Sequence, residues 1–394
     1  MKAKHSGWTI AVVLLLCGLP TYAQQASSAS QRMRSLCSGQ AGVPAWLMTR
    51  YCKPLSVVVQ SQQLSNNLPR DNGDGGTLTT FQVPGAIVTY PQDINDAGTI
   101  SGFWFDTNQA VHGFLRARDG RITTIDVPGA GTGPAEGTYA YGINQAGAIT
   151  GYWCDQNFNC HGFVRDAHGT ITSFDYPGAV YTGGQGINPS GTVTGFWADA
   201  NGNGYGFVRS PRGEYASFDT PGFIDTSTSD IIDPRGDVTG GYFDTSSPHP
   251  AHGYFRRADG TLILFDGPGV CQTSNGTSVG GIDAAGVVAG GYLGSDCGTY
   301  HGYFRHPDGT FDISDFPGSE GTIFTAIAAN GAVAGYAFTS SGIPAFLRTP
   351  GGAFYSFSLP SIVMGTNIAV NSAGTITGIY LATDQYVAYV WTQH

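Results

Sequence analysis

The chain has 394 residues and a formal net charge of −10, with 59 glycines but only 12% charged residues. This composition favours a turn-rich β protein over a helical one, and the 12% of aromatic residues argues against a disordered chain. The acidic balance argues against nucleic acid and anionic membranes as partners.

The N-terminal segment, residues 1–23, reads MKAKHSGWTIAVVLLLCGLPTYA. A basic start, an apolar run from Ile10 to Leu16 and TYA before Gln24 are typical of a secretory signal peptide. The run is too short to span a bilayer, which argues against a membrane anchor, and no later segment is long and apolar enough. We expect a secreted or periplasmic protein whose mature chain has no transmembrane segment and a net charge of −12.

The next segment, residues 24–76, precedes the repeats. It contains CSGQAGVPAWLMTRYC, which predicts a short helix near 44–51 between two cysteines, and then a polar, glycine-containing stretch typical of a flexible linker. We therefore expect three parts: a signal peptide (1–23), a disulfide-stapled segment with a linker (24–76), and a repeat domain (77–394).

The repeat domain is marked by Pro-Gly, which recurs at intervals of 44, 49, 44, 47 and 49 residues, with a degenerate Pro-Ser after a further 43. Internal periods in the forties with strand-like content indicate a propeller or a solenoid. We number the repeats one to seven by these boundaries: 86–129, 130–178, 179–222, 223–269, 270–318, 319–361 and 362–394.

Each repeat contains four short runs rich in β-branched and aromatic residues. In repeat two these are TYAYGIN (138–144), AITGYW (148–153), HGFVR (161–165) and TITSFD (170–175). An N-x-x-G turn joins the first two runs and typically a D-G turn joins the last two, and both are compact hairpin connections. The pattern predicts four antiparallel strands in each repeat.

The repeat count predicts an all-β fold, a seven-bladed β-propeller of four-stranded blades. A β-branched residue, any residue and glycine mark the second strand seven times. The chain stops after a third strand, whereas an extra fourth strand, TLTTFQV (77–83), stands before repeat one. Pairing of this N-terminal strand with the C-terminal repeat would close a ring and remove both exposed edges, which a linear β-solenoid would not need.

The repeated pattern resembles a known family. I-N-x-x-G-x-[IV]-x-G-x-[YFW], then H-G-F, then D-G-x-[IL]-x-x-[FI]-D-x-P-G, is similar to the bacterial extracellular HAF-repeat family over residues 77–394. The resemblance implies an exported β-propeller and no shared, established activity. Repeats six and seven depart from the pattern, with Ala328 in place of asparagine and with Pro344 and Val387 in place of histidine.

The predicted strand order separates two sets of connections. The loops from strand two to strand three, and those from each repeat to the next, share one end of the strands, which we call the loop face. The short N-x-x-G and D-G turns share the other end, the turn face. Because the loop face carries the variable connections, it is the expected binding surface.

Six cysteines follow the signal peptide, an even number that suggests disulfides in an exported chain but allows fifteen pairings. The two faces reduce the number of plausible pairings, because two bonded cysteines must lie on the same face. Cys154 and Cys160 flank one loop, and Cys271 and Cys297 lie in two loops of the same repeat. We predict the bonds Cys154–Cys160 and Cys271–Cys297, with Cys37–Cys52 in the N-terminal segment. A metal site at Cys154, Cys160 and His161 is the alternative.

The recurring histidines His112, His161, His252 and His301 are candidates for metal binding or base catalysis. They occupy the same position in different repeats, so they point around a ring and do not converge. We therefore expect each to make a structural hydrogen bond within its own repeat.

Acidic loops are the candidates for metal binding. DANGNG places Asp199, Asn201 and Asn203 at alternating positions, like the opening of a calcium loop. No acidic residue completes the loop at its far end, and an Asx-rich turn is the alternative. Calcium is the one cofactor we consider, and otherwise we expect none.

Carboxylates and tryptophans of the loop face are the remaining site candidates. Glu136 and Glu320 are the candidate catalytic pair for glycoside chemistry. The candidate ligand-binding residues are Trp104, Trp153, Trp197, Asp106, Asp155 and Asp199. The alternative role of the tryptophans is packing between blades, and the alternative for the acids is that they are simply solvated.

These features favour a secreted or periplasmic ligand-binding or interaction module over an enzyme, with a glycan or a protein of the cell envelope or extracellular space as its partner. The first alternative is an extracellular polysaccharide hydrolase or lyase that uses loop carboxylates. The second is a structural protein of the envelope or matrix.

Overall fold

The computed structural model describes residues 58–59 and 75–394, except 225–230, 245–249, 272–275, 364–367 and 383–384. All regular elements among the described residues are β-strands, which confirms the all-β prediction. The predicted signal peptide, the helix near 44–51 and the Cys37–Cys52 bond lie outside the described residues.

Repeats one to three form one sheet of twelve strands, built from three antiparallel groups of four. Single parallel pairs, Val111 with Gly137 and Cys160 with Tyr181, link the groups. The strands are Val88–Ile94, Ile100–Phe105, Val111–Arg116 and Ile122–Ile125; Gly137–Ile143, Ile149–Cys154, Cys160–Arg165 and Ile171–Phe174; and Tyr181–Ile187, Val193–Ala198, Gly204–Arg209 and Tyr215–Phe218.

Repeats four to six each form a separate sheet among the described residues. Repeat four contains Phe223–Ile224, Ile231–Ile232, Val238–Phe243, Ala251–Arg256 and Leu262–Phe265. Repeat five contains Thr277–Ile282, Val288–Leu293, Tyr300–Arg305 and Phe311–Ile313. Repeat six contains Gly321–Ile327, Val333–Phe338, Ala345–Arg348 and Phe354–Phe357. Two further short strands are Val58–Val59 and Ile362–Val363.

The last sheet joins the two ends of the repeat domain. It contains Ala369–Val370, Ile376–Ala382 and Gln385–Gln393 from repeat seven, together with the N-terminal strand Gly76–Phe81. The N-terminal strand runs antiparallel to Gln385–Gln393 over six residue pairs, from Gly76 with Gln393 to Phe81 with Ala388. The predicted extra strand therefore pairs beside the C-terminal repeat.

The second-strand glycine is explained by close packing of strands one and two. A Cβ atom on Gly151 would lie 2.0 Å from the carbonyl oxygen of Tyr139, and one on Gly195 would lie 1.9 Å from that of Gly183. Beside each such glycine, strand three contributes an aromatic ring without solvent exposure: Phe114, Phe163, Phe207, Tyr254, Tyr303, Phe346 and Tyr389. These rings form the repeated core of the domain.

Consecutive repeats are also joined by the arginine that ends strand three. Arg209 lies over Phe174 of the preceding repeat, with its guanidinium carbon 4.7 Å from the ring centroid. Arg116 of repeat one lies in the same way over Phe81 of the N-terminal strand, at 4.8 Å. The N-terminal strand thus packs on repeat one as a fourth strand of a preceding repeat does. Such cation–π contacts contribute about 0.5–1 kcal/mol each at partly exposed sites.

Candidate functional site

The turn face is held together by asparagine side chains of the N-x-x-G turns. The Asn95 amide donates to the backbone carbonyl of Asn144 at 3.2 Å, and the Asn144 amide donates to that of Asn188 at 3.0 Å. Asn188 continues the series to the Asp233 carbonyl at 3.2 Å. Asn371 of repeat seven donates to the Asn95 carbonyl of repeat one at 3.0 Å. The recurring asparagine therefore has a structural role, because in repeats seven, one, two and three it joins its own turn to the turn of the next repeat.

A cavity of about 200 Å³ lies between these turns, lined by first-strand and turn residues from every repeat. This volume is below the roughly 300–1,000 Å³ typical of small-molecule pockets. Its lining includes Asp93, whose carboxylate accepts hydrogen bonds from the backbone N–H groups of Ile94 at 2.8 Å and Ile143 at 2.9 Å. Asp93 thus links repeat one to repeat two.

Asp93 is surrounded by protein and keeps only partial exposure, toward the cavity. Burial raises the pKa of its carboxyl to about 6, although the two backbone hydrogen bonds act in the opposite direction. Sequence reasoning missed this residue. The available signal is that repeats two and three carry glycine at the equivalent positions, Gly142 and Gly186.

On the loop face, the predicted acidic residues fold their own loops. Asp155 accepts the backbone N–H groups of Asn157 at 2.7 Å and Asn159 at 2.9 Å. Asp106 does the same for Asn108 and Ala110, both at 2.8 Å. These are Asx turns, in which the carboxylate replaces a backbone acceptor.

The predicted calcium loop has the same arrangement. Asp199 accepts the backbone N–H groups of Asn201 and Asn203, both at 2.9 Å, and these bonds lower the pKa of its carboxyl. The Asn203 side-chain amide also donates to Asp199, at 2.9 Å. Among the described residues, no group of three or more His, Cys, Asp or Glu side chains is placed to hold a metal ion. Calcium binding here stays a prediction, and it would require both asparagine amides to turn their oxygens inward.

Two disulfides tie loops of this face, as predicted. Cys154–Cys160 closes the loop between strands two and three of repeat two, and Cys271–Cys297 joins two loops of repeat five. Threonines that begin the following repeats hold the connecting loops: Thr138 accepts the N–H of Val127, and Thr322 accepts that of Phe316, both at 2.9 Å. These bonds therefore fix the described loops of repeat two and the connections after Val127 and Phe316 to the neighbouring strands.

Each recurring histidine makes the expected structural hydrogen bond. Its Nδ1 atom contacts the aspartate that follows strand four of the same repeat, at 2.7 or 2.8 Å. The pairs are His112–Asp126, His161–Asp175, His252–Asp266 and His301–Asp315. The spacing of fourteen residues explains why H-G-F and D-x-P-G recur together.

The loop-face tryptophans stack on these side chains. The rings of Trp153 and His161 have centroids 4.5 Å apart, and the Trp153 indole N–H donates to Ser173 at 2.9 Å. Trp104 stacks on His112 at 4.5 Å. Trp197 stacks on Tyr205, which replaces the histidine in repeat three, at 4.6 Å. All three tryptophans are half-buried in these contacts. Their packing role is visible, and their ligand-binding role stays a prediction.

The two candidate catalytic glutamates belong to different inter-repeat loops. Glu136 turns back on its own loop, where its carboxylate accepts the backbone N–H of Gly133 at 2.7 Å. Glu320 is exposed, and its backbone N–H donates to the carbonyl of Phe338 at 2.6 Å. A shared catalytic geometry for this pair stays a prediction. No helix among the described residues meets the length and apolarity needed to span a membrane.

Comparison with solved structures places the fold among the β-propellers. Virginiamycin B lyase from Staphylococcus aureus aligns with a TM-score of 0.52 and 13% identity, over 81% of this chain and 100% of that one. Oligogalacturonate lyase in complex with manganese aligns with 0.54 and 10% identity, over 81% and 97% of the two chains. Comparison with family models and curated proteins gave no significant match. At these identities the likeness concerns the fold alone.

Proposed function

We propose that the repeat domain is a closed seven-bladed β-propeller of the HAF-repeat type. The pairing of Gly76–Phe81 with Gln385–Gln393 supports closure, because it joins the two ends of the domain in one sheet. The hydrogen bond from Asn371 to Asn95 supports it independently on the turn face. The packing of Arg116 over Phe81 is a third support for closure, because the same arginine–aromatic contact joins repeat three to repeat two.

The protein is exported and acts as a ligand-binding module, with a glycan of the cell envelope or extracellular space as its partner. The observation that supports this function is that several of the described loops on the loop face are held in place by bonds of their own. Disulfides hold loops of repeats two and five, and Asx turns hold the loops that begin at Asp106, Asp155 and Asp199. Loops ordered before binding lose little conformational entropy when a ligand arrives, which favours recognition.

A glycan array and polysaccharide pull-down with the exported protein, with and without calcium, test this function. Released reducing sugar is measured in the same samples. We expect binding without product. The double variant Cys154→Ser/Cys160→Ser serves as a probe of loop order, and it should weaken binding if the loop of repeat two contributes.

The remaining outcomes discriminate between the alternatives. Product release would contradict a binding module and would favour a hydrolase or lyase, with Glu136 and Glu320 as the first residues to replace. A calcium requirement would support the Asp199 loop as a metal site. Silence on every glycan would contradict the glycan partner and favour a protein partner or a structural role.

A further inference from the structure

Repeats three and six differ where strands two and three reach the loop face. In repeat three the Trp197 indole stacks on Tyr176, with centroids 4.2 Å apart and planes inclined by 9°, and its N–H donates to Ser217 at 3.0 Å. Tyr176 lies in the loop that leads from the preceding repeat. The indole therefore fills the space between that loop and strand four.

In repeat six the same register carries small side chains. In repeat three, Trp197 of strand two pairs with Tyr205, the residue before Gly206. In repeat six, the N–H of Ala337 donates to the carbonyl of Pro344, the residue before Ala345. Ala337 therefore occupies the register position of Trp197. Pro344 replaces the histidine of the pattern, and Ser358 replaces its aspartate after strand four. Three large or charged side chains of repeats one to five are thus replaced by alanine, proline and serine in repeat six.

The preceding loop is unchanged in its own packing. Phe316, which like Tyr176 precedes a Pro-Gly pair, contacts the rings of Phe346 at 5.6 Å and Phe354 at 5.4 Å. Tyr176 makes the corresponding contacts with Phe207 and Tyr215 at 6.5 and 5.2 Å. The aromatic side chain of this loop is therefore retained, while the indole that stacks on it in repeat three is not.

A cavity of about 350 Å³ opens at this place. This volume lies within the range of small-molecule pockets. Its lining combines one aromatic ring with hydroxyl groups and a short apolar surface, and all lining residues are uncharged: Phe316, Thr339, Ser341, Ser356, Ser358 and Leu359 are among them.

Thr339, Ser341 and Ser361 of the lining already form hydrogen bonds within the protein, whereas the hydroxyls of Ser356 and Ser358 are available for a ligand. Ser356 corresponds to Ser217, which accepts the indole N–H in repeat three, but Ala337 has no N–H in its side chain to donate. Among the described residues we find no hydrogen bond of the Ser356 or Ser358 hydroxyl. A hydroxyl can both donate and accept, so the two serines match the hydroxyls of a polyol.

We propose that this cavity, between Phe316 and the serines of repeat six, binds the ring of a neutral sugar. The C–H face of a pyranose packs on an aromatic ring, and its hydroxyls exchange hydrogen bonds with the serines. An ionised ligand is disfavoured, because an uncharged lining leaves its desolvation uncompensated. This inference deepens the proposed glycan-binding function and rests on it.

Saturation-transfer NMR with the full exported protein tests the proposal. The probes are free glucose, galactose, mannose and N-acetylglucosamine, with glucuronic and galacturonic acid as charged counterparts. We expect transfer to at least one neutral sugar and none to the two acids. Ser356→Ala should weaken that binding at least tenfold, and Ser358→Trp, at an exposed position of the lining, should abolish it.

Thr124→Ala is the matched control. Thr124 is an exposed hydroxyl residue at the same register of repeat one and should leave binding unchanged. Unaltered urea unfolding of all three variants would separate loss of binding from loss of fold.

Two outcomes overturn the proposal. If the wild-type protein binds a neutral sugar and both serine variants bind it equally well, the site lies elsewhere and the glycan-binding function stands. If the wild-type protein binds none of the neutral sugars, the cavity is not a sugar site. In that case, binding on the glycan array would still support the proposed glycan-binding function. The absence of binding on the array would contradict both that function and the sugar site.

Discussion

Repeats three and six have the same arrangement of strands but differ in the side chains that occupy the loop face. In repeat three a tryptophan spans the distance from Tyr176 to Ser217, so the surface is closed. In repeat six Ala337 stands at that position and a cavity of about 350 Å³ lies beside Phe316. The difference shows that a departure from the repeat pattern can leave a cavity on the loop face, and it is in this cavity that we propose a sugar site.

The largest expected effect tests what the two repeats share. Phe207→Ala in repeat three and Phe346→Ala in repeat six each remove a ring with no solvent exposure. We expect both to lower the free energy of unfolding by about 3–5 kcal/mol, because large-to-small core substitutions leave a cavity. Urea unfolding measures it. A much smaller loss for Phe346→Ala would mean that repeat six is loosely packed and that its cavity reflects poor order.

The second prediction concerns a residue that repeat six lacks on the turn face. Asp93 of repeat one occupies the register of Ala326, and its pKa of about 6 lies above the ordinary 3.8. The folded state therefore binds the proton more tightly, and this contribution to stability is full below pH 4 and lost as the pH rises through 6. It amounts to at most about 3 kcal/mol, since one pKa unit corresponds to about 1.4 kcal/mol.

Asp93→Ala should remove this part of the pH dependence. Urea unfolding between pH 4 and pH 7 compares the variant with the wild-type protein. Burial also raises the pKa of Asp283, so a residual slope is expected in both proteins. An identical slope in the two would show that the Asp93 carboxyl titrates normally.

The third prediction concerns the histidine–aspartate pair of repeat two, which repeat six replaces with Pro344 and Ser358. Asp175→Ala in repeat two removes the partner of His161 Nδ1, a contact of 2.8 Å between half-buried and exposed side chains. We expect a loss of about 1 kcal/mol in the free energy of unfolding, the usual net contribution of a hydrogen bond. Equal stability of the variant and the wild-type protein would reduce the pair to a surface contact without structural weight.

The smallest expected effect belongs to the same position in repeat six. Ser358→Ala should change the free energy of unfolding by less than about 0.5 kcal/mol, because an exposed serine outside any network has little structural weight. Its effect should appear in sugar binding, measured by saturation-transfer NMR. A large loss of stability would assign Ser358 to the scaffold and weaken the sugar-site proposal.

The fold was largely predictable because most repeats contain the same packing and turn residues at the same positions. The second-strand glycine, the buried ring of strand three and the linked His161 and Asp175 recur at fixed offsets, so one repeat explains the others. The Cys154–Cys160 and Cys271–Cys297 bonds followed from the two faces of the strands.

The site was less predictable, because the features that set it apart occur once. Asp93 is a single acid among glycines and apolar residues of other first strands, and its burial depends on contacts between repeats. Pro344 was visible as a departure from the pattern, but the cavity beside it is also lined by Phe316 and Ser358, which lie in other segments of the chain. The stacking of Trp197 on Tyr176 likewise joins two repeats.

The pairing of the N-terminal strand with the C-terminal repeat has a consequence for chain connectivity. The N–H of His394 donates to the carbonyl of Gly75 at 2.7 Å, so the two ends of the repeat domain are adjacent. A short linker could join them, and new termini could be opened at an exposed D-G turn such as Asp119-Gly120. Such a circular permutant should keep every sheet intact, with the former N-terminal strand now covalently continuous with repeat seven.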